Sequence, residues 1–310
     1  MWAYDDSRLA VRDVLRLSRA MTHKSAAAGL DLGGGKGVIM LPPDRELTPT
    51  RRRDVLLDFA ETVDSLAGRY ITAEDVGTSA KDMTVIAKGT SHVTGLSRRS
   101  GGSGDPSPWT ALGVHVAIEE ACEEAFGSRS LKGRTASILG LGHVGGRLAQ
   151  RLSKAGAKLV VSDVDKSKRA LAAKLGATWA TPEKAVLADV DILAPCALGG
   201  ILDDEIVPRL KCAVIGGAAN NQLADERIAD LLHARGILWT PDFVANAGGI
   251  VNISVELEPG GYDPDRAKER VEAIGGTLRE IFEHARAVDA TPLTAAMELA
   301  RRRLRAKAAA

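Results

Sequence analysis

The sequence feature that most constrains the fold is a glycine-rich turn, Gly140-Leu-Gly-His-Val-Gly145, between two regular segments. Apolar patterning predicts a strand at 135–139 before it and a helix at 145–155 after it. In such a turn the first glycine permits a tight bend, the second lets backbone approach a pyrophosphate, and the third allows close helix–strand packing. Asp163 ends the next predicted strand, where a carboxylate accepts hydrogen bonds from a ribose 2′-hydroxyl and repels a 2′-phosphate. The segment predicts a unit that binds NAD in preference to NADP.

The chain after this turn continues to alternate between strand and helix. Further strands are predicted at 158–162, 178–180, 192–194, 213–216 and 237–239, and a helix is predicted at 166–175. This alternation is typical of a Rossmann-type, doubly wound parallel sheet. An ordinary glycine turn in an α/β core is the weaker interpretation, because strand, helix and acid occur together. Two last helices are predicted at 263–287 and 291–307.

The first hundred residues also mix helix and strand, although less regularly. Apolar residues at helical spacing predict helices at 11–21 and 53–67. Short apolar segments predict strands at 37–41 and 69–72. A long helix is predicted at 109–126, after a glycine-rich segment. We therefore predict an α/β protein of two domains, with a substrate and oligomerisation domain at 1–127 and an NAD-binding Rossmann domain at 128–262. The helices of 263–310 would pack across both.

Composition argues against several other classes of protein. Among 310 residues, 41 are basic and 40 acidic, and this balance predicts no surface for nucleic acid or for an anionic membrane. The cysteines, Cys122, Cys196 and Cys212, are odd in number and lack a C-x-x-C pair, so neither disulfides nor a metal site is predicted. We find no apolar run long enough to span a bilayer and no signal-peptide pattern. These features predict a cytoplasmic protein that acts on small molecules.

Two lysines stand in and beside a glycine-rich segment near the N-terminus. Lys24 ends the string Met21-Thr-His-Lys, and Lys36 follows three glycines. Glycine leaves the backbone bare, so a small substrate can approach it closely. Two adjacent lysines in a closed cleft lower each other's pKa, and one would hold a carboxylate while the other transfers protons. Taken alone, two solvated surface lysines are the simpler interpretation.

Several polar residues follow predicted strands. Asp75 comes after the segment 69–72, at the kind of strand end where α/β active sites gather, and would relay protons and balance a lysine. Amide side chains both donate and accept, which suits a nicotinamide carboxamide or a substrate amino group. Such amides occur at Asn220, Asn221 and Asn246. Each residue alone is more simply a turn former.

Taken together, these segments resemble the glutamate/leucine/phenylalanine/valine dehydrogenase family, and above all its leucine, valine and phenylalanine branch. The resemblance follows the family's order along the chain and is carried by residues 21–37, 69–79, 105–114, 140–145, 194–200, 217–224 and 241–250. It implies reversible, NAD-dependent oxidative deamination of an apolar L-amino acid to a 2-oxo acid and ammonium. Relatives are homo-oligomers, so a homo-oligomer is expected.

The resemblance also implies roles for single residues. Lys24 would bind the substrate carboxylate, Lys36 would act as general base on water, and Asp75 would assist proton transfer. Asn246 would hold the amino group. Cofactor contacts are implied for Thr110, Gly140, Gly142, His143, Val144, Gly145, Asp163, Cys196, Ala197, Asn220 and Asn221. From the sequence around them, His143 is expected to face solvent without a catalytic role, and Cys196 to serve as a small loop hydrophobe.

The substrate pocket implied by the resemblance is apolar. Ala73, Ile250 and Ile253 match its lining, and small or branched aliphatic side chains suit leucine, valine or isoleucine. Phenylalanine is an alternative, because a methylene-scale change in such a pocket is worth only about 1–3 kcal/mol. Glutamate is disfavoured, because the pocket motifs offer no further basic residue.

The start of the chain departs from the family pattern. Met1-Trp-Ala-Tyr matches the interior of relatives, which carry roughly forty more residues before it, more than one supersecondary unit. We expect the gene to begin upstream, because otherwise the substrate domain is truncated at its start and exposes a sheet edge. The alternative class of function is a truncated NAD-binding paralogue that binds nucleotide without turnover.

Overall fold

The computed structural model describes residues 1–41 and 47–308. Within these residues the chain forms the two-domain α/β fold predicted from the sequence, with a small N-terminal sheet and a six-stranded parallel sheet. In the same residues, no helix is long and apolar enough to cross a membrane.

The N-terminal region combines three helices with a short sheet. Its elements, in chain order, are β1 (Trp2–Ala3), α1 (Ser7–Ala27), β2 (Met40–Leu41), α2 (Pro49–Ser65) and α3 (Ala80–Ile86). The Asp6 side chain caps α1 by accepting the backbone N–H of Arg8, and Pro49 opens α2, where its missing N–H costs nothing. In the described chain, β1 and β2 pair in parallel.

The strands predicted in this region are shorter than expected. The segment 37–41 is strand only at Met40–Leu41, because the glycine run before it lies against the rings of Tyr70 and Phe59 rather than in a sheet. Residues 69–72, all of them described, form no strand, and Thr72 makes a single parallel bridge to Val93. The prediction of a strand there was wrong, and Asp75 follows an isolated bridge.

The second region is built around the large parallel sheet. Its elements are α4 (Ser107–Phe126), β3 (Thr135–Leu139), α5 (His143–Lys154), β4 (Lys158–Ser162), α6 (Arg169–Lys174), β5 (Thr178–Trp179), α7 (Pro182–Val186), β6 (Ile192–Pro195), β7 (Val214–Ile215), α8 (Ile228–Ala234) and β8 (Leu238–Trp239). The strand order is β5-β4-β3-β6-β7-β8, and every pair is parallel. This is the order of a doubly wound dinucleotide-binding sheet, in which ligands bind beyond the carboxyl ends of the strands where the winding reverses. The glycine turn follows β3 at that reversal.

Helices complete the chain after the sheet. They are α9 (Asp242–Ala245), α10 (Gly248–Ser254), α11 (Pro264–Glu272), α12 (Ile274–Ala287) and α13 (Pro292–Ala308). The helix predicted at 263–287 is in fact two helices that meet at Ala273. The last helix packs on α1, and α12 packs on α4. The C-terminal helices therefore contact both regions.

Helix α4 runs through the main core. Val114, Ala117, Ile118 and Ala121 are fully buried and cluster with residues of β3, α5 and α12. Aliphatic side chains all round a helix are typical of a buried helix. This helix precedes the boundary predicted near Gly127 and packs on elements that follow it, and the boundary itself stays a prediction.

Candidate active site

The glycine turn after β3 has the shape that its sequence predicts. Gly140 has a φ of 99°, and a Cβ there would lie 2.8 Å from the Cβ of Ala197. At Gly142 an added Cβ would meet nothing within 4 Å, so this backbone faces open space. At Gly145 a Cβ would overlap the carbonyl oxygen of Gly140. The turn therefore leaves room for a phosphate at the N-terminus of α5, where backbone N–H groups favour an anion.

Asp163 lies beside this turn, at the end of β4. Its Oδ2 accepts the backbone N–H of Leu141 at 2.6 Å, and its Oδ1 accepts that of Asp165 at 2.8 Å. The carboxylate is half-buried, so it ties β4 to the glycine turn while part of it stays accessible. Its position suits a ribose hydroxyl, which donates to a carboxylate.

The other residues predicted around the turn occupy its two sides. His143 and Val144 begin α5, with the histidine exposed and the valine half-buried. Cys196 and Ala197 follow β6 and pack against the glycines, since a Cβ at Gly145 would lie 2.9 Å from the Cβ of Cys196. Burial raises the pKa of the Cys196 thiol to about 12, so this cysteine is protonated near neutral pH.

Lys24 connects the two regions of the molecule. Its side chain leaves the last turns of α1, and Nζ donates to Oδ1 of Asn246 at 2.6 Å. Burial lowers the pKa of Lys24 to about 8, an effect that Asp242 opposes and that nearby Lys36 strengthens. Lys24 therefore carries its charge at neutral pH but loses it just above.

Lys36 and Asp75 form an ion pair near Lys24. The Lys36 ammonium contacts Oδ2 of Asp75, and the side chains are 23% and 50% exposed. The other carboxylate oxygen accepts the backbone N–H of Val76 at 2.7 Å, which fixes the carboxylate in its turn. Burial lowers the pKa of Lys36, as a general base requires.

Asn246 connects Lys24 to the loop that follows β7. Its Nδ2 donates to the carbonyl of Ala218 at 3.1 Å and to Oδ1 of Asn220 at 2.9 Å. The orientation of the amide follows from these partners, because a carbonyl only accepts and the Lys24 ammonium only donates. Neighbouring Asn221 is exposed, with a φ of 52°.

The residues predicted to line the substrate pocket and the nicotinamide site lie on one loop and two helices. Ala73 follows the Thr72 bridge, while Ile250 and Ile253 lie on α10, and all three are half-buried. Thr110 lies on α4 beside α10, because a Cβ at Gly249 would be 2.7 Å from Thr110 Oγ1. Small residues at this crossing let the two helices approach.

Sequence reasoning missed three polar residues of this region. Asp242 and Gln222 are buried and hydrogen-bonded to each other, and Glu256 accepts the backbone N–H groups of Gly95 and Ser103 at 3.0 and 2.8 Å. Asp242 had a signal, since it begins a loop after a strand and stands in one of the strings that carry the family resemblance. Gln222 also stands in one of those strings, 217–224, although nothing in that string indicates a buried hydrogen-bond network. Glu256 had no signal, because its partners are backbone groups far along the chain.

Family models match most of the chain. The model described as Glu/Leu/Phe/Val dehydrogenase, dimerisation domain, matches residues 3–92. The model described as Glutamate/Leucine/Phenylalanine/Valine dehydrogenase matches residues 162–309. A third, described as D-isomer specific 2-hydroxyacid dehydrogenase, NAD binding domain, matches residues 115–198.

Similar proteins are dehydrogenases of single amino acids. The chain is 45% identical to leucine dehydrogenase of Thermoactinomyces intermedius over 287 residues, 92% of this chain and 77% of that enzyme. It is 41% identical to valine dehydrogenase of Streptomyces virginiae over 307 residues, 98% of this chain and 84% of that enzyme. The crystal structure of L-tryptophan dehydrogenase from Nostoc punctiforme superposes with a TM-score of 0.86 at 39% identity, covering 99% of this chain and 87% of that one.

The parallel sheet, the glycine turn and these matches define an amino-acid dehydrogenase, an oxidoreductase that acts on a CH–NH2 group. The chain belongs to the Glu/Leu/Phe/Val dehydrogenase family, within the leucine, valine and phenylalanine branch. The family, the fold class and the enzyme class predicted from the sequence are thereby confirmed.

Proposed function

We propose that this protein catalyses the reversible oxidative deamination of an aliphatic L-amino acid, preferably leucine, valine or isoleucine, with NAD. The observation that carries this proposal is the meeting of Lys24, Asn246 and the Lys36–Asp75 pair beside a dinucleotide-binding sheet. The similarity to a leucine and a valine dehydrogenase supports the same substrate class.

Lys24 and Asn246 hold the two charged ends of the amino acid. A Lys24 with a pKa of about 8 is an ammonium at neutral pH, and it binds the substrate carboxylate as an ion pair. Asn246 has both amide hydrogens engaged by its loop partners, so its Oδ1 is left to accept from the substrate amino group. Substrate replaces Lys24 on that oxygen. The Cα–H bond is thereby held in one orientation.

Lys36 and Asp75 transfer protons. The substrate amino group first loses one proton to solvent, and departure of hydride from Cα then leaves an iminium. NAD, when bound, would supply the acceptor for that hydride. Neutral Lys36 removes a proton from water, whose oxygen bonds to the iminium carbon and gives a carbinolamine. Asp75, in contact with Lys36, takes up that proton and returns it to the nitrogen as the C–N bond breaks. As the carbonyl forms, the carbinolamine hydroxyl proton passes to neutral Lys36 and from it to the departing ammonia, so the products are a 2-oxo acid and ammonium.

The nucleotide side of the cleft fits NAD. Gly142 offers open backbone at the N-terminus of α5, and Asp163 presents a carboxylate next to it. A 2′-phosphate would be repelled by that carboxylate, so NAD is favoured over NADP. The further residues that would hold the cofactor are Gly140, His143, Val144, Gly145, Cys196, Ala197, Thr110, Asn220 and Asn221.

An aromatic substrate is the second candidate. The similarity to an L-tryptophan dehydrogenase favours it, because that relative covers nearly the whole chain. Against it, the proposed lining of Ala73, Ile250 and Ile253 is made of small or branched aliphatic side chains. Contact with such walls favours an aliphatic substrate.

The protein is further proposed to be a cytoplasmic homo-oligomer. The match to a family model described as a dimerisation domain supports this, as does the exposure of apolar side chains on β1 and α1. Trp2 is 57% and Leu15 is 65% exposed. Exposed apolar side chains of this size are typical of contact surfaces.

Initial rates with five substrates test the proposal. NADH formation is measured with leucine, valine, isoleucine, phenylalanine and tryptophan, each with NAD and with NADP. We expect turnover of the aliphatic amino acids with NAD and far less with NADP. Faster turnover of phenylalanine or tryptophan would establish the second candidate, and nucleotide binding without any turnover would establish an inactive paralogue.

A further inference from the structure

A fully buried glutamine shapes the loop Gly217–Gln222, which follows β7. Nε2 of Gln222 donates to the carbonyls of Gly217 at 2.9 Å and of Ala219 at 3.1 Å, while its Oε1 accepts from Nε1 of Trp239 at 3.1 Å. Each polar atom of this side chain therefore has a partner, inside the loop or on β8. A buried polar network that is fully satisfied holds one conformation rigidly.

Asp242 holds the end of the same loop. Its carboxylate is 8% exposed, and Oδ2 accepts the backbone N–H of Gln222 at 2.8 Å. Burial raises the pKa of Asp242, whereas this hydrogen bond and the positive charge of Lys24 favour the ionised form. Because Asp242 also begins α9, which ends next to Asn246, it connects the loop to that asparagine along the chain.

The loop in turn fixes the Asn246 amide. Ala218 and Asn220 supply the two acceptors for Nδ2, and both lie between Gly217 and Gln222. With both amide hydrogens engaged, Oδ1 faces Lys24 at 2.6 Å. If the loop lost its shape, the amide would be free to rotate and to turn its donors toward the lysine, where a donor has no partner.

We propose that Gln222 and Asp242 are positioning residues of the dehydrogenase reaction, which hold the loop Gly217–Gln222 so that Asn246 presents its oxygen to the substrate amino group. They act through the loop and through Asn246. The proposal rests on the function proposed above, because it needs an amino group at Asn246. The proposal predicts that disturbing this loop weakens the binding of ammonium in particular.

The variant Gln222→Glu tests this role in the reductive direction. Glutamate has nearly the same shape and still accepts from Trp239, but it places an acceptor beside the carbonyls of Gly217 and Ala219. At saturating NADH we expect the KM for ammonium to rise at least about tenfold. The KM for the 2-oxo acid, which carries no nitrogen, should change by less than about twofold.

Two further variants keep the test decisive if Gln222→Glu does not fold. Trp239→Phe removes only the donor to Gln222 Oε1, and Asp242→Asn keeps the side-chain shape but loses the charge. Trp239→Phe should raise the KM for ammonium selectively, by about twofold to fivefold. Asp242→Asn should raise it as well, but it should also raise the KM for the 2-oxo acid, because the Asp242 charge favours the protonated form of Lys24.

The matched control is Asp191→Asn, at the amino-terminal ends of the central strands β3 and β6. The Asp191 carboxylate accepts the backbone N–H of Thr135 at 2.7 Å and its hydroxyl at 2.9 Å, so it also holds backbone from a half-buried site. We expect a lower Tm with an unchanged KM for ammonium. Folded variants of Gln222 or Trp239 that lose stability in the same way, without a selective change in that KM, would overturn the positioning role.

The wild-type rate separates this inference from the proposed function. A wild type without turnover of any amino acid refutes the function and the positioning role together. An active wild type whose loop variants affect both KM values equally refutes the positioning role alone.

Discussion

Lys24 is an ammonium group that burial has made unusually easy to deprotonate. Its pKa of about 8 arises from desolvation and the nearby positive charge of Lys36, with Asp242 acting in the opposite direction. A lowered lysine pKa means that the charged form prevails below pH 8 and is lost above it. Because only the ammonium pairs with a carboxylate, substrate binding should depend on this titration.

The inhibition constant of a 2-oxo acid product provides the measurement. A 2-oxo acid lacks an amino group, so no titration of the inhibitor's own amine affects the measured constant. Above about pH 8 the constant should rise by about tenfold per pH unit, and below about pH 7 it should be flat. A constant that stays flat to pH 10 would contradict the assignment of Lys24 to the substrate carboxylate.

Single site residues could be proposed from the sequence where a short local string contained them. Lys24, Lys36, Asp75 and Asn246 each stand in a short motif whose neighbours indicate a turn or a strand end. The structure brings all four close together, although Lys24 and Asn246 are 222 positions apart and no spacing rule predicts their hydrogen bond. Gln222 could not be found from its neighbours, because its role depends on how the loop curls around its side chain.

At the scale of elements, Gly142 and Gly145 in the turn after β3 have different roles. Gly142 has open space around it and a φ of −65°, which alanine also adopts. Gly145 has no such room, because a Cβ would overlap the carbonyl oxygen of Gly140. Gly142 therefore leaves room for the ligand, and Gly145 allows the packing of α5 on β3.

Alanine variants of these two glycines should affect different properties, NAD binding in one case and stability in the other. Gly142→Ala should weaken NAD binding, measured by fluorescence titration, with little change in Tm. Gly145→Ala should lower the free energy of unfolding by about 1–3 kcal/mol, the usual cost of overpacking. If Gly142→Ala bound NAD normally, this turn would not approach the pyrophosphate.

Elements differed in how well the sequence predicted them. The strands β3 and β4 have the bounds that their five-residue apolar runs predict, because both lie in the middle of the sheet and are covered on both faces. In β7 and β8 only two residues join the ladder, fewer than the apolar pattern indicates. The helices α7 and α8 went unpredicted, since five to seven residues are too few to show a helical period.

At the scale of the whole molecule, Glu256 connects the two regions. Its carboxylate accepts from Gly95 and Ser103, in the segment that leads from the N-terminal region into α4. Glu256 lies directly after α10, which carries Ile250 and Ile253. The segment and the proposed pocket are therefore held together by one side chain.

Glu256→Gln should loosen this connection. An amide retains only one accepting oxygen, and a lost hydrogen bond to a charged group costs about 1.5–3 kcal/mol. We expect a lower Tm and a higher KM for the amino acid, with Glu283→Gln on the exposed face of α12 as the control. Kinetics and Tm equal to those of the control would show that Glu256 does not align the regions.

The alternation of elements from Thr135 onward was enough to predict the nucleotide-binding sheet, because each βαβ unit is local in sequence. The N-terminal region was less predictable. Its strands are two residues long, and its glycine run lies on aromatic rings that follow some thirty positions later, such as Tyr70. Contacts between the regions are long-range, and the sequence alone does not show them.

The central claim is that Lys36 supplies the base for deamination of an amino acid with NAD. NADH formation from L-leucine is measured for the wild type, for Lys36→Ala and for Lys88→Ala, an exposed lysine of the same region. The account predicts turnover by the wild type and Lys88→Ala, and a kcat at least about a hundredfold lower for Lys36→Ala with NAD binding retained. An unchanged kcat in Lys36→Ala would contradict it.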